Sequence, residues 1–309
     1  MSTVAIIMTT YNGERYVGEQ IDSILASSYQ EFELFIYDDG SKDSTLSILR
    51  EYETKNPGKV HVIQNEKNLG VTLNFLQAIC KTTMDYVMFC DQDDVWMPNK
   101  IALTLRRIRH MEAQLGEKTP LAVFTDAVVV DRELKVLFES FFHSNHLNPR
   151  RTDLPHILME NKLIGCTVMI NKALRNILQS RSLPTKARFH DWWVALIATS
   201  MGKIGFVDEG TLLYRQHGNN VVGGADFYAY FKDRIKSLKQ QREALKSLYR
   251  QADEFLNLYE DLLDEDCKDI MKRFAKMNQY NFLTKRKVLL QGGYLKTGFS
   301  RNIALMIIV

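Results

Sequence analysis

The chain has 309 residues, of which 45% are hydrophobic and 25% charged, with 16 Gly, 6 Pro and a formal net charge of +3. This composition excludes wholesale disorder and collagen-like or low-complexity structure, and the length allows one large α/β domain with an appendage or two smaller domains. The charge is too small to argue for a nucleic-acid partner.

Val4 to Met8, rich in Val and Ile, stops at the turn-forming cluster Thr9-Thr10-Tyr11-Asn12-Gly13 and reads as a buried strand. Residues 14–27 follow with apolar positions near helical spacing. Phe32 to Tyr37 is a second strand ending at Asp38-Asp39-Gly40-Ser41, and Asp43 is a plausible N-cap for the next helix. Val60 to Ile63 is a third strand, followed by Asn68-Leu69-Gly70 and a helix through Phe75, Leu76 and Ile79. Asp85 to Cys90 is a fourth, ending at Asp91-Gln92-Asp93-Asp94, and Pro98 suits the first turn of the helix beyond. Strands alternating with helices in this way predict βαβ units and a doubly wound, mostly parallel sheet flanked by helices. Ligands bind beyond the carboxyl ends of such strands, so the polar clusters at 9–13, 38–41 and 91–94 should converge on one crevice.

In the middle section, Leu121 to Val130 and Cys166 to Ile170 read as strands and Trp192 to Met201 as a buried helix. Ile204 to Val207 and Thr211 to Tyr214 read as a strand pair around Asp208-Glu209-Gly210. From residue 227 the composition changes, with no Pro and no Gly until Gly292. Phe231, Ile235, Leu238, Arg242, Leu245, Tyr249, Ala252, Leu256, Tyr259 and Leu263 form a heptad-like seam, in one long helix or in a hairpin bent near 251–253. The seam suits intramolecular packing or a homodimer. Two units are therefore expected, an α/β domain over 1–226 and a helical C-terminal region over 227–309. Residues 268–309 carry nine Lys or Arg against the single Asp269. Such an end either lies as a peripheral element on an anionic membrane surface or forms a solvated face packed on the first domain.

Cys80, Cys90, Cys166 and Cys267 are far apart and lack C-x-x-C spacing, so neither a disulfide framework nor a zinc site is suggested, and a cytoplasmic compartment is the default. No signal peptide is expected, and no apolar stretch reaches the roughly 18–20 residues of a transmembrane helix.

Asp91, Asp93 and Asp94 repel one another unless something cationic sits among them, and Mg²⁺ or Mn²⁺ with oxygen ligands answers that need. A plain polar loop or helix N-terminus explains them as well. An acid in Asp38-Asp39-Gly40-Ser41 can accept from a nucleobase imide or from ribose hydroxyls, and Tyr11 offers a ring face for a base. Neither G-x-G-x-x-G nor G-x-x-x-x-G-K-[ST] occurs, so a Rossmann dinucleotide site and a P-loop are unsupported.

Taken in order and spacing, Ile7 to Gly13, Ile36 to Asp43, Asn65 to Gly70 and Phe89 to Trp96 resemble the family-2 glycosyltransferases, the inverting nucleotide-sugar transferases of GT-A fold. The resemblance runs from about residue 3 to residue 222. Within the family the likeness is to bacterial rhamnosyltransferases of polysaccharide assembly, through Asp91-Gln92-Asp93-Asp94-Val95-Trp96, Phe189-His190-Asp191-Trp192-Trp193 and Tyr214-Arg215-Gln216-His217-Gly218-Asn219-Asn220. The resemblance implies that Thr10, Tyr11, Asn12 and Asp39 hold the base and ribose, and that Gly70 lets backbone approach the donor. It implies further that Asp91 contacts ribose or sugar, that Asp93 is the main metal ligand and that His217 meets the metal or diphosphate. Asp191 falls at the place of the catalytic base, though an N-cap role would also suit it, and Trp96 is the tryptophan best placed to contact the sugar. The Gln-x-x-Arg-Trp box of processive synthases is missing, which favours single addition.

The implied activity is transfer of a sugar, L-rhamnose from a dTDP donor, to a lipid-linked glycan acceptor at the inner membrane face in cell-surface polysaccharide synthesis. A UDP-hexose donor is the alternative within the same chemistry, and a metal-dependent nucleotidyltransferase is the alternative outside it.

Overall fold

The computed structural model describes residues 4–216 and 238–309. In chain order the first half runs β1 (Val4–Thr10), α1 (Val17–Leu25), β2 (Phe32–Asp38), α2 (Thr45–Lys55), β3 (Val60–Gln64), α3 (Val71–Lys81), β4 (Tyr86–Cys90), β5 (Val95–Trp96), α4 (Lys100–Leu115) and β6 (Leu121–Val130). There follow β7 (Val136–Phe138), the short helices α5 (Phe141–Ser144) and α6 (Leu154–Met159), β8 (Met169–Asn171), α7 (Lys172–Gln179), α8 (His190–Met201) and β9 (Lys203–Arg215). The chain closes with α9 (Leu238–Tyr259), α10 (Glu265–Ala275), α11 (Phe282–Gln291) and α12 (Phe299–Ile308). No helix among the described residues is long and apolar enough to cross a membrane.

One nine-stranded sheet organises the molecule, in the order β3-β2-β1-β4-β8-β6-β9-β5, with β7 on β6. β1 pairs in parallel with both β2 and β4, and β2 with β3. All seven residues of β1 and all ten of β6 are buried. Strands covered on both faces need no polar alternation, which is why they read as unbroken apolar runs. Parallel pairing through right-handed crossovers brings the carboxyl ends of β1, β2 and β4 to one edge, and the sheet is mostly parallel and doubly wound as expected.

Two expectations change in the middle section. Residues 203–215 form one strand rather than a pair, because both halves run parallel to the same neighbour, β6, with register shifts where Asp208-Glu209-Gly210 intervenes. That turn-like tripeptide makes a bulge in a continuous strand. The predicted strand at Cys166 to Ile170 begins instead with a 3₁₀ turn over Gly165–Thr167, and only Met169–Asn171 pairs with the sheet.

α8 explains its own apolar composition. A helix hydrophobic on all sides must be covered on all sides, and α8 lies between the sheet and the C-terminal helices. Trp193 is fully buried, with its ring 5.3 Å from Phe255 and 6.2 Å from Tyr259 of α9. Polar contacts join the same surfaces: Arg181 donates to Leu258 O at 2.7 Å, and the amides of Thr185 and Lys186 donate to Glu254. The seam residues Leu245, Tyr249, Ala252, Leu256, Tyr259 and Leu263 are buried within the chain, so the seam packs internally. α9 runs unbroken through 251–253. Phe231, Ile235 and the expected boundary at 226/227 lie outside the described residues.

Trp193→Ala should remove about 3–5 kcal/mol of stability through loss of this helix-to-helix contact. Chemical denaturation followed by circular dichroism should show that loss in one transition; an independent early transition of the C-terminal helices would contradict it.

Candidate active site

Side chains at the strand ends bond to one another across long stretches of sequence. Thr10 Oγ1 donates to Asp38 Oδ2 at 3.0 Å, and the Tyr11 amide donates to Gln92 Oε1 at 2.9 Å. Gln92 Nε2 returns a bond to Tyr11 O at 3.2 Å, which ties the first polar cluster to the acidic one. The Asn12 amide donates to Ser41 Oγ, and Asn12 Oδ1 accepts from the Lys42 amide at 2.8 Å. Asn12 has a φ of 50°, a left-handed conformation that Asn tolerates better than most side chains. The clusters at 9–13, 38–41 and 91–94 therefore share one end of the sheet, with the Tyr11 ring exposed beside them.

The two acids of Asp38-Asp39 do different work. Asp38 is wholly buried and accepts from the amides of Gly40 and Ser41, closing the turn after β2. Asp39 reaches the neighbouring connection, where Oδ1 accepts from Leu69 N at 2.8 Å and Asn65 Nδ2 at 2.9 Å, and Oδ2 accepts from Gly70 N at 2.8 Å. Gly70 takes a φ of 75° at the start of α3, with open space where a Cβ would stand. Asp39 thus fixes the backbone of the 65–70 connection around Gly70. Thr10 is buried, its hydroxyl committed to Asp38.

The acidic cluster lies over a buried cation. One ligand atom from each of Asp91, Asp94 and Cys166 falls within 4.8 Å of the others. Burial, then the charges of Asp93 and Asp191, push the Asp91 carboxyl up to about 7. Asp94 is 1% exposed and lies well above the usual carboxylate range for the same reason, burial, reinforced by Asp93 and Asp91. Its Oδ1 accepts from Arg215 N at 3.2 Å, whereas Oδ2 is buried without a hydrogen-bond donor. Behind them stands Lys100, fully buried, with Nζ 3.3 Å from Thr211 Oγ1 and its ammonium pulled down to about 8 by desolvation against the attraction of Cys166, Cys90 and Asp94. A buried acceptor without a donor amid crowded carboxylates fits a divalent cation.

Arg215, at the end of β9, locks this loop. Nε donates to Asp93 O at 2.9 Å, Nη1 donates to Arg132 O, and Nη2 pairs with Glu19. Its guanidinium also lies 4.5 Å from the Tyr16 ring.

Asp191 enters from the other side, in the first turn of α8. It is buried; Oδ1 accepts from Trp192 N at 2.6 Å, and the Asn161 side chain and Gly165 backbone also favour its charged form. Desolvation outweighs these effects and raises the carboxyl to about 7. Gly165 has to be small here, since a Cβ would stand 3.1 Å from His190 Nε2 and 3.5 Å from Asp191 Oδ2. His190 contributes dryness. Its ring stacks on Phe75 at 3.9 Å and meets Phe89 edge-on at 5.4 Å, neither nitrogen has a partner, and burial takes its pKa down to about 3. The imidazole is neutral and serves as an apolar wall. The charge of Asp191 is among the causes that raise Asp91, after burial and Asp93.

The sequence expectations meet this geometry unevenly. Thr10, Tyr11, Asn12, Asp39 and Asp91 lie at the carboxyl ends of β1, β2 and β4, Gly70 opens α3, and Asp191 lies in the first turn of α8. Asp93 is beside the acidic cluster, yet the donor atoms that come together are those of Asp91, Asp94 and Cys166. Trp96 is a correction. Pairing of β5 with β9 places it opposite Leu212, and its indole is buried over Lys100 Nζ at 4.9 Å instead of facing a sugar. His217 lies outside the described residues. Lys100, Asn161, Cys166 and Arg215 went unassigned. Arg215 falls in the Tyr214-Arg215-Gln216-His217 run of the family resemblance, while nothing local distinguishes Lys100 from a surface lysine.

Residues 5–115 match the profile of the glycosyl transferase family 2 domain. A dTDP-rhamnosyl transferase, RfbG of Shigella flexneri, is 28% identical over 239 residues, covering 73% of this chain and 77% of its own. A teichuronic acid biosynthesis glycosyltransferase of Bacillus subtilis, TuaG, is 27% identical over 190 residues, covering 61% and 70%. Among solved structures, S. aureus TarS 1–349 in complex with UDP-GlcNAc shares the fold with a TM-score of 0.59 at 19% identity, over 94% of this chain and 75% of that one. The mannosyltransferase PcManGT of Pyrobaculum calidifontis, in complex with GDP-Man and Mn²⁺, does so with a TM-score of 0.53 at 15% identity, over 98% and 86%.

Asp39→Asn replaces one acceptor by a donor that faces the amides of the 65–70 connection. A loss of about 1–3 kcal/mol is expected, with faster amide exchange at Leu69 and Gly70; unchanged exchange there would show that the carboxylate does not hold the loop.

Proposed function

We propose that this chain, a glycosyltransferase carrying a family 2 domain over residues 5–115, is an inverting, metal-dependent transferase that moves L-rhamnose from a dTDP donor to a hydroxyl of a lipid-linked glycan in cell-surface polysaccharide synthesis. The observation that carries the reaction type is the buried Asp191 carboxyl in the first turn of α8, raised to about 7, whose charge is felt by Asp91 of the strand-end cluster. A carboxylate held at about 7 in a dry site is suited to take a proton near neutral pH. The rhamnose donor rests on the likeness to the Shigella relative, and the polysaccharide setting on the likeness to the teichuronic acid relative of Bacillus subtilis.

In this reading the nucleotide lies over the ends of β1 and β2, with the Tyr11 face and the Asn12 and Asp39 loops around base and ribose. Asp91 and Asp93, with Asp94, would hold a Mg²⁺ or Mn²⁺ ion, which neutralises charge on the departing diphosphate. Arg215 holds the Asp93 carbonyl through Nε and the Asp94 carboxylate through its amide, and Lys100 offsets Asp94 from the rear. The acceptor oxygen forms its bond to the anomeric carbon as the bond to the diphosphate oxygen breaks on the opposite face. Asp191 receives the hydroxyl proton, and the diphosphate leaves with the bonding pair. No covalent enzyme intermediate is needed. The Trp192 amide, the Asn161 side chain and the Gly165 backbone favour the charged form of Asp191, while His190, Phe75 and Phe89 keep water away from it.

Three measurements test this. Asp191→Asn should lower transfer by about 10²–10⁴-fold while nucleotide-sugar affinity, read by calorimetry, stays within a few fold; unchanged turnover excludes Asp191 as the base. Because the base must be ionised, kcat/KM should rise with pH through about 7 and level off above it. A panel of dTDP- and UDP-sugars with and without Mn²⁺ distinguishes rhamnose from a UDP-hexose, and an absence of sugar-nucleotide turnover across the panel overturns the assignment.

A further inference from the structure

Thirteen large hydrophobic side chains are exposed among the described residues, and six of them lie on α11 and α12. On α12, Phe299, Ile303 and Ile307 follow at i, i+4 and i+8, a single stripe, and Phe299 is 83% exposed. On α11, Phe282, Leu283 and Leu290 are exposed, Leu283 to 75%. Each helix buries a different residue, Leu289 or Leu305, so these outward residues are additional to the ones that dock the helices. Arg286 fixes the pair together, with Nη1 donating to Phe282 O at 2.7 Å and Nη2 donating to Met306 O. Lys276, Lys285 and Lys287 have no carboxylate partner among the described residues, and residues 268–309 hold only one acid. Apolar stripes bordered by lysines are the makings of a helix pair that lies in a headgroup layer, its rings and aliphatic chains below and its ammonium groups level with phosphates.

We propose that α11 and α12 dock this chain onto an anionic lipid surface, with Phe282, Leu283, Leu290, Phe299, Ile303 and Ile307 inserted and Lys285 and Lys287 against the headgroups. Charge selects this occupant over a second copy of the chain, which would bring two lysine rims together. The fold also couples the surface to the site. Glu160 accepts from the Thr297 amide at 3.0 Å and pairs with Arg301 at 3.2 Å, and buried Lys162 pairs with Glu160 and donates to Thr297 Oγ1 at 2.7 Å. Between Glu160 and Lys162 stands Asn161, whose side chain favours the charged form of Asp191. The lead-in to α12 is thus bolted to the segment that aims the proposed base. The inference rests, for its purpose, on the reading that the acceptor is lipid-linked.

The full chain should be sedimented with vesicles of phosphatidylcholine alone and of phosphatidylcholine with one third phosphatidylglycerol. Binding to the anionic vesicles is expected, weakening at high salt. Phe299→Asp with Ile303→Asp should lower partitioning about tenfold or more, and Lys285→Glu with Lys287→Glu should remove the preference for anionic lipid. Phe299, Ile303 and Lys287 are exposed and Lys285 is half-buried, so both variants should keep the wild-type circular dichroism and donor turnover. No partitioning into either vesicle, or unaltered partitioning of the Phe299/Ile303 variant, overturns the proposal. So does a dimer in light scattering that the same substitutions dissolve, because the face then meets a second copy. Donor turnover without vesicle binding defeats the surface alone, and vesicle binding without turnover of any sugar nucleotide defeats the enzymatic reading alone.

Discussion

Carboxylates buried side by side repel strongly, because little water is present to screen them, and the site is organised around containing that repulsion. Asp91 and Asp94 come together with Cys166 at the edge of the sheet, Asp93 stands between them in the chain, and burial is the main reason that Asp91, Asp94 and Asp191 hold protons more tightly than usual. Such a cluster persists only with compensation. The chain supplies some from behind, through the Lys100 ammonium, and some from the side, through the Arg215 amide and guanidinium. The Asp94 oxygen left without a donor is where compensation from the protein ends, and a divalent cation is the natural complement.

The loops that face this cluster are held by side-chain to backbone bonds rather than by regular structure. Asp38 and Asp39 are adjacent, yet one closes its own turn and the other holds the 65–70 connection. Gln92 binds the Tyr11 backbone in both directions. Loops fixed in this way hold their groups in place before a ligand arrives, which reduces the ordering cost of binding. The same residues that look like ligand contacts in sequence are in part the supports of the ligand site.

α8 joins three parts of the molecule. Its first turn carries Asp191, its body fills the core beside the sheet, and Trp193 receives the C-terminal helices. Displacing those helices would uncover α8 and disturb the acid at its start. The buried group of Glu160, Lys162 and Arg301 makes a second connection from the C-terminal helices to the segment around Asn161. A buried ion group of this kind contributes more to specifying one arrangement than to net stability, since its attraction largely offsets its own desolvation.

The order of strands and helices, and the convergence of the polar clusters at one sheet edge, are legible in the sequence because they follow from local periodicity and the handedness of βαβ crossovers. Asp191 is legible as well, since an acid opening an all-apolar helix stands out. Other features depend on distant pairing. The bulge at Asp208-Glu209-Gly210 looks like a turn until both flanks find the same neighbour, and Trp96 looks like a sugar platform until β9 turns its ring inward. Lys100 becomes a counter-charge only when the sheet places it under Asp94, more than a hundred residues from its partner Thr211 in β9. Residue type and spacing determined which chemistry the chain carries; burial and long-range contact, which no local window contains, decided which acids support the loops, which crowd together and which one is poised to accept a proton.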